Sequence, residues 1–323
     1  MDSRTGVLIV AYARNHEALN LANNAIQAGI RKLFIWIDGP KSADIQISQE
    51  KLCASLEAIK AENPDLSLVI YKSHNNFGAS ASVLAGTSLM FKEVEYGIVL
   101  EDDLQVDCDF FRVLQACLEV SNKNRDVWMV TGTRLMDENT QAFWEYMNYP
   151  VAWGWGSTKQ KWSDILDSID DFNLLSKIQN KKIRRYWKLG HRRAMQGKID
   201  AWDVPLAGIM RALGKKCVIP PVNLVSNIGF DEHATHTKEE TWPLGLTRKQ
   251  IDVGNVIEFR DNTLTKNNKY YEKIIYKIRL RHQFNGVYSW VSNLLINRNS
   301  ARREPLMTRL SKASQLVEKV NFK

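Results

Sequence analysis

Continuous apolar runs alternate with helical patterns through the first third of the chain. GVLIVAY (6–12), LFIWID (33–38), LSLVIY (66–71) and IVLE (98–101) are short and rich in branched residues, which predicts four strands buried on both faces. Between the first two, Leu19, Ala22 and Ile26 share one face of a helix over Asn15 to Ala28, and Gly29 ends it. A second helix is expected around Ile47–Ala61, halted by Asn63-Pro64, and a third, of small residues, over Ala79 to Lys92. Such alternation predicts an α/β fold with a mostly parallel sheet and helices on both faces.

The second half is less regular. DVWMVTG (126–132) reads as a strand, followed by an aromatic, glycine-containing stretch, YPVAWGWGS (149–157). Basic helical sequence occupies 177–195, and DAWDVPLAGIMRALGKK (200–216) reads as a helix ending at Gly214. A strand and a long loop follow over 217–237. Near the end, KYYEKIIYKIRLRHQF (269–284) and MTRLSKASQLVEKV (307–320) are helical patches separated by NRNSARREP (297–305).

In open parallel sheets, ligands bind beyond the carboxyl ends of the strands. Here those ends carry Tyr12-Ala13-Arg14, Asp38-Gly39, the Asn75–Gly78 turn and Glu101-Asp102-Asp103, so polar groups converge on one rim. Three adjacent carboxylates at the tip of an apolar strand repel one another and resist leaving water. The arrangement makes sense if a cation is expected there. Oxygen ligands suit Mg²⁺ or Mn²⁺, commonly held by one or two carboxylates plus a diphosphate. Read blandly, the acids form a solvated loop or a helix start. No GxGxxG follows the first strand, and no P-loop, GxSxG or CxxC motif occurs anywhere.

Charge changes the picture in one respect. The net charge is +8, yet residues 261–323 hold 13 Lys/Arg against 4 Asp/Glu, leaving the rest near neutral. The division expected is therefore a domain over 1–260 and a basic helical extension over 261–323. No apolar run approaches the roughly 20 residues that span a bilayer. The first residues lack the features of a signal peptide, and the four cysteines show no metal-type spacing. Free thiols in a reducing cytoplasm are the expectation.

VLEDDLQVDCDFF (99–111) resembles the metal-binding segment of GT-A-fold glycosyltransferases, in particular the N-acetylglucosaminyltransferase I family. Other pieces are similar in the same order: VLIVAYARNHEALNLANNAI, WIDGP, WGWGSTKQKW and AWDVPLAGIMR, together covering about residues 6–240. The resemblance implies a Rossmann-like GT-A fold, with a nucleotide-sugar half over 1–105 and an acceptor half over 106–260, and inverting sugar transfer from a nucleotide diphosphate, with a UDP-sugar as donor. It implies that Asp103 ligates Mn²⁺ or Mg²⁺ and that Glu101 and Asp102 hold donor hydroxyls. Asp38 would contact the nucleotide base, Arg14 and Asn76 would lie on the nucleotide-sugar side, and Asp203 would be the general base.

Rivals stand beside several of these. Asp38 precedes Gly-Pro and could simply organise a turn, and Asp200 competes with Asp203 as base, either being able to cap a helix. In DEHATHT, His236 and then His233 are candidate metal or diphosphate contacts on chemistry alone. Trp153 and Trp155 would stack on an acceptor sugar, or serve as core aromatics. KIQNKKIRRYWKLGHRR (177–193) packs eight Lys/Arg around two aromatics; it reads as a solvated helix face or an acceptor phosphate contact rather than a nucleic-acid site. The basic extension fits peripheral contact with an anionic membrane where a lipid-linked or glycan acceptor resides, or a helix packed on the domain. The functional alternatives are a sugar nucleotidyltransferase, a non-catalytic nucleotide or sugar binder, and a nucleic-acid binder.

Overall fold

The structure is a computed structural model that describes residues 3–135, 143–229, 257, 259–260, 264–273 and 303–321. Its first third follows the alternation read from the sequence: β1 (Thr5–Ala11), α1 (Asn15–Gln27), β2 (Lys32–Ile37), α2 (Ala43–Glu62), β3 (Ser67–Lys72), α3 (Ala79–Met90) and β4 (Tyr96–Glu101). Parallel pairing sets these strands in the order β3-β2-β1-β4. β1 is buried at every position and lies between β2 and β4, so chain progression reverses direction at the β1–β4 seam. That reversal opens a crevice at the carboxyl ends of β1 and β4.

A short β5 (Leu104–Gln105) leads to α4 (Cys108–Ser121) and β6 (Val127–Thr131). Next come β7 (Trp144–Met147), β8 (Trp155–Thr158), α5 (Lys159–Ser168), a 3₁₀ turn over Phe172–Lys177, α6 (Lys181–Met195), α7 (Asp203–Leu213) and β9 (Lys216–Ile219). β8 inserts antiparallel between β4 and β6, joining the strands on either side into one sheet that has ten strands among the described residues. Gly214 caps α7 at φ 67°, as its position predicts. β10 (Ser226–Asn227) pairs with β5 outside the main sheet, and β11 (Phe259–Arg260) pairs with β7.

The expected boundary at residue 260 does not separate an appendage from a domain. A helix over 264–273, here α8, tucks Asn267 and Asn268 under β7, where their side chains donate to the Tyr146 carbonyl and to Asn148 Oδ1. The region read as one helical patch, 307–320, is instead α9 (Leu306–Leu316) followed by β12 (Glu318–Asn321). β12 pairs antiparallel with β3 and closes that edge of the sheet, while α9 packs on α3. Edge pairing satisfies backbone groups that β3 would otherwise expose, a gain that helical periodicity in isolation cannot register.

Candidate functional site

The crevice is built first by Asp102. Its backbone N–H extends the β1–β4 ladder by donating to the Val10 carbonyl at 3.0 Å. Its Oδ2 accepts the backbone N–H groups of Tyr12, Ala13 and Arg14 at 2.7, 3.1 and 3.1 Å. One carboxylate oxygen thus shapes the loop after β1 and holds Arg14 over the crevice. Burial raises the Asp102 pKa, and the three N–H groups draw it partly back.

Glu101 and Asp103 flank that anchor. Burial, then the charges of Asp103, Asp102, Asp203 and Asp200, all push the Glu101 pKa well above the ordinary carboxylate value. Burial and Asp102 carry Asp103 up to about 6, with Arg14 and a hydrogen bond from Asn227 opposing them. Asn227 sits there because β10 pairs with β5: Ile228 N–H donates to the Asp103 carbonyl at 2.8 Å. Gly229 N–H then donates to Asn227 Oδ1 at 2.7 Å, and the Gly229 Cα lies so close to Asp103 Oδ2 that a Cβ would collide with it.

Asp203 and Asp200, rivals in the sequence, part ways in three dimensions. Asp203 opens α7, half-buried, near enough for its charge to act on Glu101 and on Tyr271 of α8. Tyr271 stacks on Tyr149 with ring centroids 4.6 Å apart, and Tyr149 donates to Glu272 at 2.5 Å, so α8 brings an aromatic ring to the Asp203 side. Asp200 instead pairs with Arg309 at 3.0 Å and with Arg303, and accepts from Ser80 N–H at 3.3 Å. Burial by itself would raise the Asp200 pKa; Arg309 and Arg303 outweigh it and hold the carboxyl below its usual range. With its side chain only 7 % exposed and both oxygens engaged, Asp200 is a structural tie and no longer competes as base.

The expectation that Asp38 and Asn76 contact a nucleotide does not match their surroundings. Asp38 is 4 % exposed. Its Oδ1 accepts Phe77 N–H at 2.8 Å, and its Oδ2 accepts Gly78 N–H and the Asn76 side-chain amide, both at 2.9 Å. The pair latches the turn before α3, where Gly78 adopts φ 82° with no room for a side chain against Asp200 and Arg303. Arg309 holds the same turn through the Phe77 carbonyl. Trp155 is likewise a core residue, 1 % exposed, its ring centroid 5.7 Å from Trp162 and 5.1 Å from Trp202. No face of it is left for a sugar. Trp153 is half-buried, and its carbonyl accepts from Thr133 at 2.7 Å. His233 and His236 lie outside the described residues.

Four residues that the sequence did not single out build this region: Asn227, Tyr271, Arg303 and Arg309. Both arginines belong to the basic extension, Arg303 in its RREP run and Arg309 in MTRLSK, and its charge was the one signal available for them.

Among the described residues no three His, Cys, Asp or Glu side chains converge in ligand geometry. A crowded, desolvated carboxylate set with raised pKa values still fits a divalent cation, in the mode in which a diphosphate supplies the remaining oxygens. No family model matches the chain, and no curated protein matches it. Among solved structures, the crystal structure of mannose-1-phosphate geranyltransferase from Thermus thermophilus aligns with a TM-score of 0.30 at 15% identity, over 67% of this chain and 73% of that one. So distant a likeness leaves the site to be read from its own residues.

Proposed function

We propose that this protein is a divalent-metal-dependent, inverting glycosyltransferase that moves a sugar from a nucleotide diphosphate donor, a UDP-sugar by resemblance, to a hydroxyl of a glycan or lipid-linked acceptor. The observation that carries the reading is the convergence of Glu101, Asp102 and Asp103 from the end of β4 with Asp203 from α7, close enough for the Asp203 charge to raise the Glu101 pKa.

Each residue then has a task. Asp103, steadied by Asn227, holds the cation together with the donor diphosphate, and Arg14 adds positive charge on the same side. The cation, when bound, neutralises charge growing on the departing diphosphate. Glu101 and the free oxygen of Asp102 accept from donor hydroxyls. Asp203 takes the proton of the acceptor hydroxyl as that oxygen attacks the anomeric carbon and the bond to the diphosphate oxygen breaks. One displacement inverts the centre, so no protein nucleophile is needed. The His236 loop is a candidate second contact to metal or diphosphate.

The test is thermal stabilisation by a panel of nucleoside diphosphates and nucleotide sugars, each with and without Mn²⁺ or Mg²⁺. A ligand at ~100 times its dissociation constant stabilises by about 2.7 kcal/mol, a readable shift. A shift that needs metal, selects one base and vanishes in Asp103→Ala is expected. No shift with any nucleotide overturns the donor-site reading. Pyrophosphate release from a nucleoside triphosphate and a sugar phosphate would replace it with a nucleotidyltransferase.

A further inference from the structure

Helix α6 carries a basic surface that the proposed chemistry does not use and that the fold uses in part: Arg184 donates to the Ser176 and Ile178 carbonyls at 3.4 and 3.1 Å, Lys188 donates to the Ser176 hydroxyl at 2.9 Å, and Lys188 and Arg192 lie 5.2 and 5.3 Å over the Phe172 ring. Ile183, Trp187, His191 and Ala194 bury its inner face, and Asn180 caps its start by accepting Lys182 and Ile183 N–H at 3.0 and 3.2 Å. His191 Nε2 donates to the Ile169 carbonyl at 2.9 Å, and Trp187 packs on Tyr149. Those contacts hold the helix. Its other face presents Lys181, Lys182, Arg184, Arg185, Lys188, Arg192 and Arg193, and α6 contains no acid.

These cations stand without counter-charge: among the described residues no carboxylate pairs with any of them. Several are four positions apart, Lys181 with Arg185, Arg184 with Lys188 and Lys188 with Arg192, a spacing at which like charges destabilise a helix. Lys181 and Lys182 also occupy the first turn, where the helix dipole disfavours cations. Local helix stability therefore gives no account of the charge, whereas an anionic partner does.

The chemistry of the face says which partner. Lys181, Arg184, Arg185, Lys188 and Arg192 surround an open cleft of about 490 Å³, with Leu189 among them and 52% exposed. The row from Lys181 to Arg192 runs about 17 Å along a convex helix. Trp187 is buried, and the half-buried Tyr186 and Phe172 are taken up against Trp187 and His191, so the face lacks the fully exposed aromatic platform on which unpaired bases stack. A row of cations that straddles one exposed aliphatic side chain matches a bilayer interface, where phosphate headgroups meet acyl chains.

We propose that the basic face of α6 docks the protein on an anionic lipid bilayer, with Arg185, Lys188 and Arg192 meeting headgroup phosphates and Leu189 entering below them. α6 packs through its inner face on α7, which begins with Asp203. The docking claim does not depend on sugar transfer.

The test is co-sedimentation of the full-length protein with vesicles of phosphatidylcholine alone or mixed with phosphatidylglycerol, at low and high salt. Binding to the mixed vesicles only, weakened by salt, is expected. Lys181→Gln with Arg185→Gln, both exposed, should lower the partition coefficient ~30-fold at an unchanged melting temperature. Leu189→Ser should lower it several-fold without altering the salt dependence. Lys51→Gln with Lys123→Gln, exposed and elsewhere, removes the same charge and should change it little. Equal binding to neutral vesicles, an unaffected double variant, an equal loss in the control pair, or tighter binding to a single-stranded oligonucleotide at the same salt would each overturn the proposal. Each readout is independent of catalysis, so failure here leaves the transferase reading to its own test.

Discussion

Two sets of buried carboxylates lie within one region of the sheet rim, and they are managed in opposite ways. Asp38 and Asp200 are matched by protein groups: three N–H donors for the first, two arginines and Ser80 N–H for the second. Among the described residues Glu101 meets burial and like charge, and Asp103 has a backbone hydrogen bond, the Asn227 amide and the field of Arg14 against the same opposition. A carboxylate with its partners in place holds the chain together. In the proposed function, one held against its own electrostatics is the one that would meet a cation arriving with its ligand. Burial is common to both sets, and satisfaction separates them.

The sharpest way to test the division is to remove one member of each set. Asp203→Asn, which keeps the shape and loses the base, should cut the transfer rate ~10²–10⁴-fold with little change in donor-dependent stabilisation. An active Asp203→Asn enzyme would move the base elsewhere. On the other side, Asp200→Ala leaves Arg309, itself 6% exposed, without its charge partner, and should cost about 3–5 kcal/mol in denaturant unfolding. Asp38→Ala strands two backbone N–H groups and the Asn76 amide and should cost about 3 kcal/mol. If either change proves neutral for stability but abolishes nucleotide binding, the division between structural and functional acids is wrong.

pH gives a finer test. The Asp200 carboxyl is held below its ordinary value, so its contribution to stability is present above the unfolded-state pKa, about 4, and fades as pH falls through the lower folded-state value. Asp200→Asn should flatten the acid limb of a stability–pH profile measured in the absence of nucleotide. The smallest effect expected is Asn227→Ala, which removes the amide from Asp103 and should weaken metal-dependent nucleotide stabilisation about tenfold without unfolding the protein. An unchanged metal titration would separate Asn227 from the site.

The acid rim was legible from sequence because it depends on local order. Four apolar runs ended in polar residues, and a parallel sheet gathers such ends on one edge. The nucleotide role of Asp38 came from resemblance, while its neighbours Gly39 and Pro40 allowed a turn; the turn it organises lies 38 to 40 residues away, at Asn76, Phe77 and Gly78, where local order could not place it. Trp155 looked like a sugar platform because glycines flank it. Insertion of β8 between β4 and β6, which buries the ring, is a long-range pairing with no local signature.

The sequence by itself therefore determined the strands and helices of the first third, the edge where their ends meet, and the three acids at the tip of β4, all set by periodicity and by residue order. Only the tertiary structure decided which aspartates are consumed as ties, that Asp200 is the one paired with Arg303 and Arg309, and that α9 and β12 complete the sheet beside β3. The physical reason is partnership. A charge, an edge strand or an aromatic ring takes its role from what lies against it, and those neighbours come from distant parts of the chain.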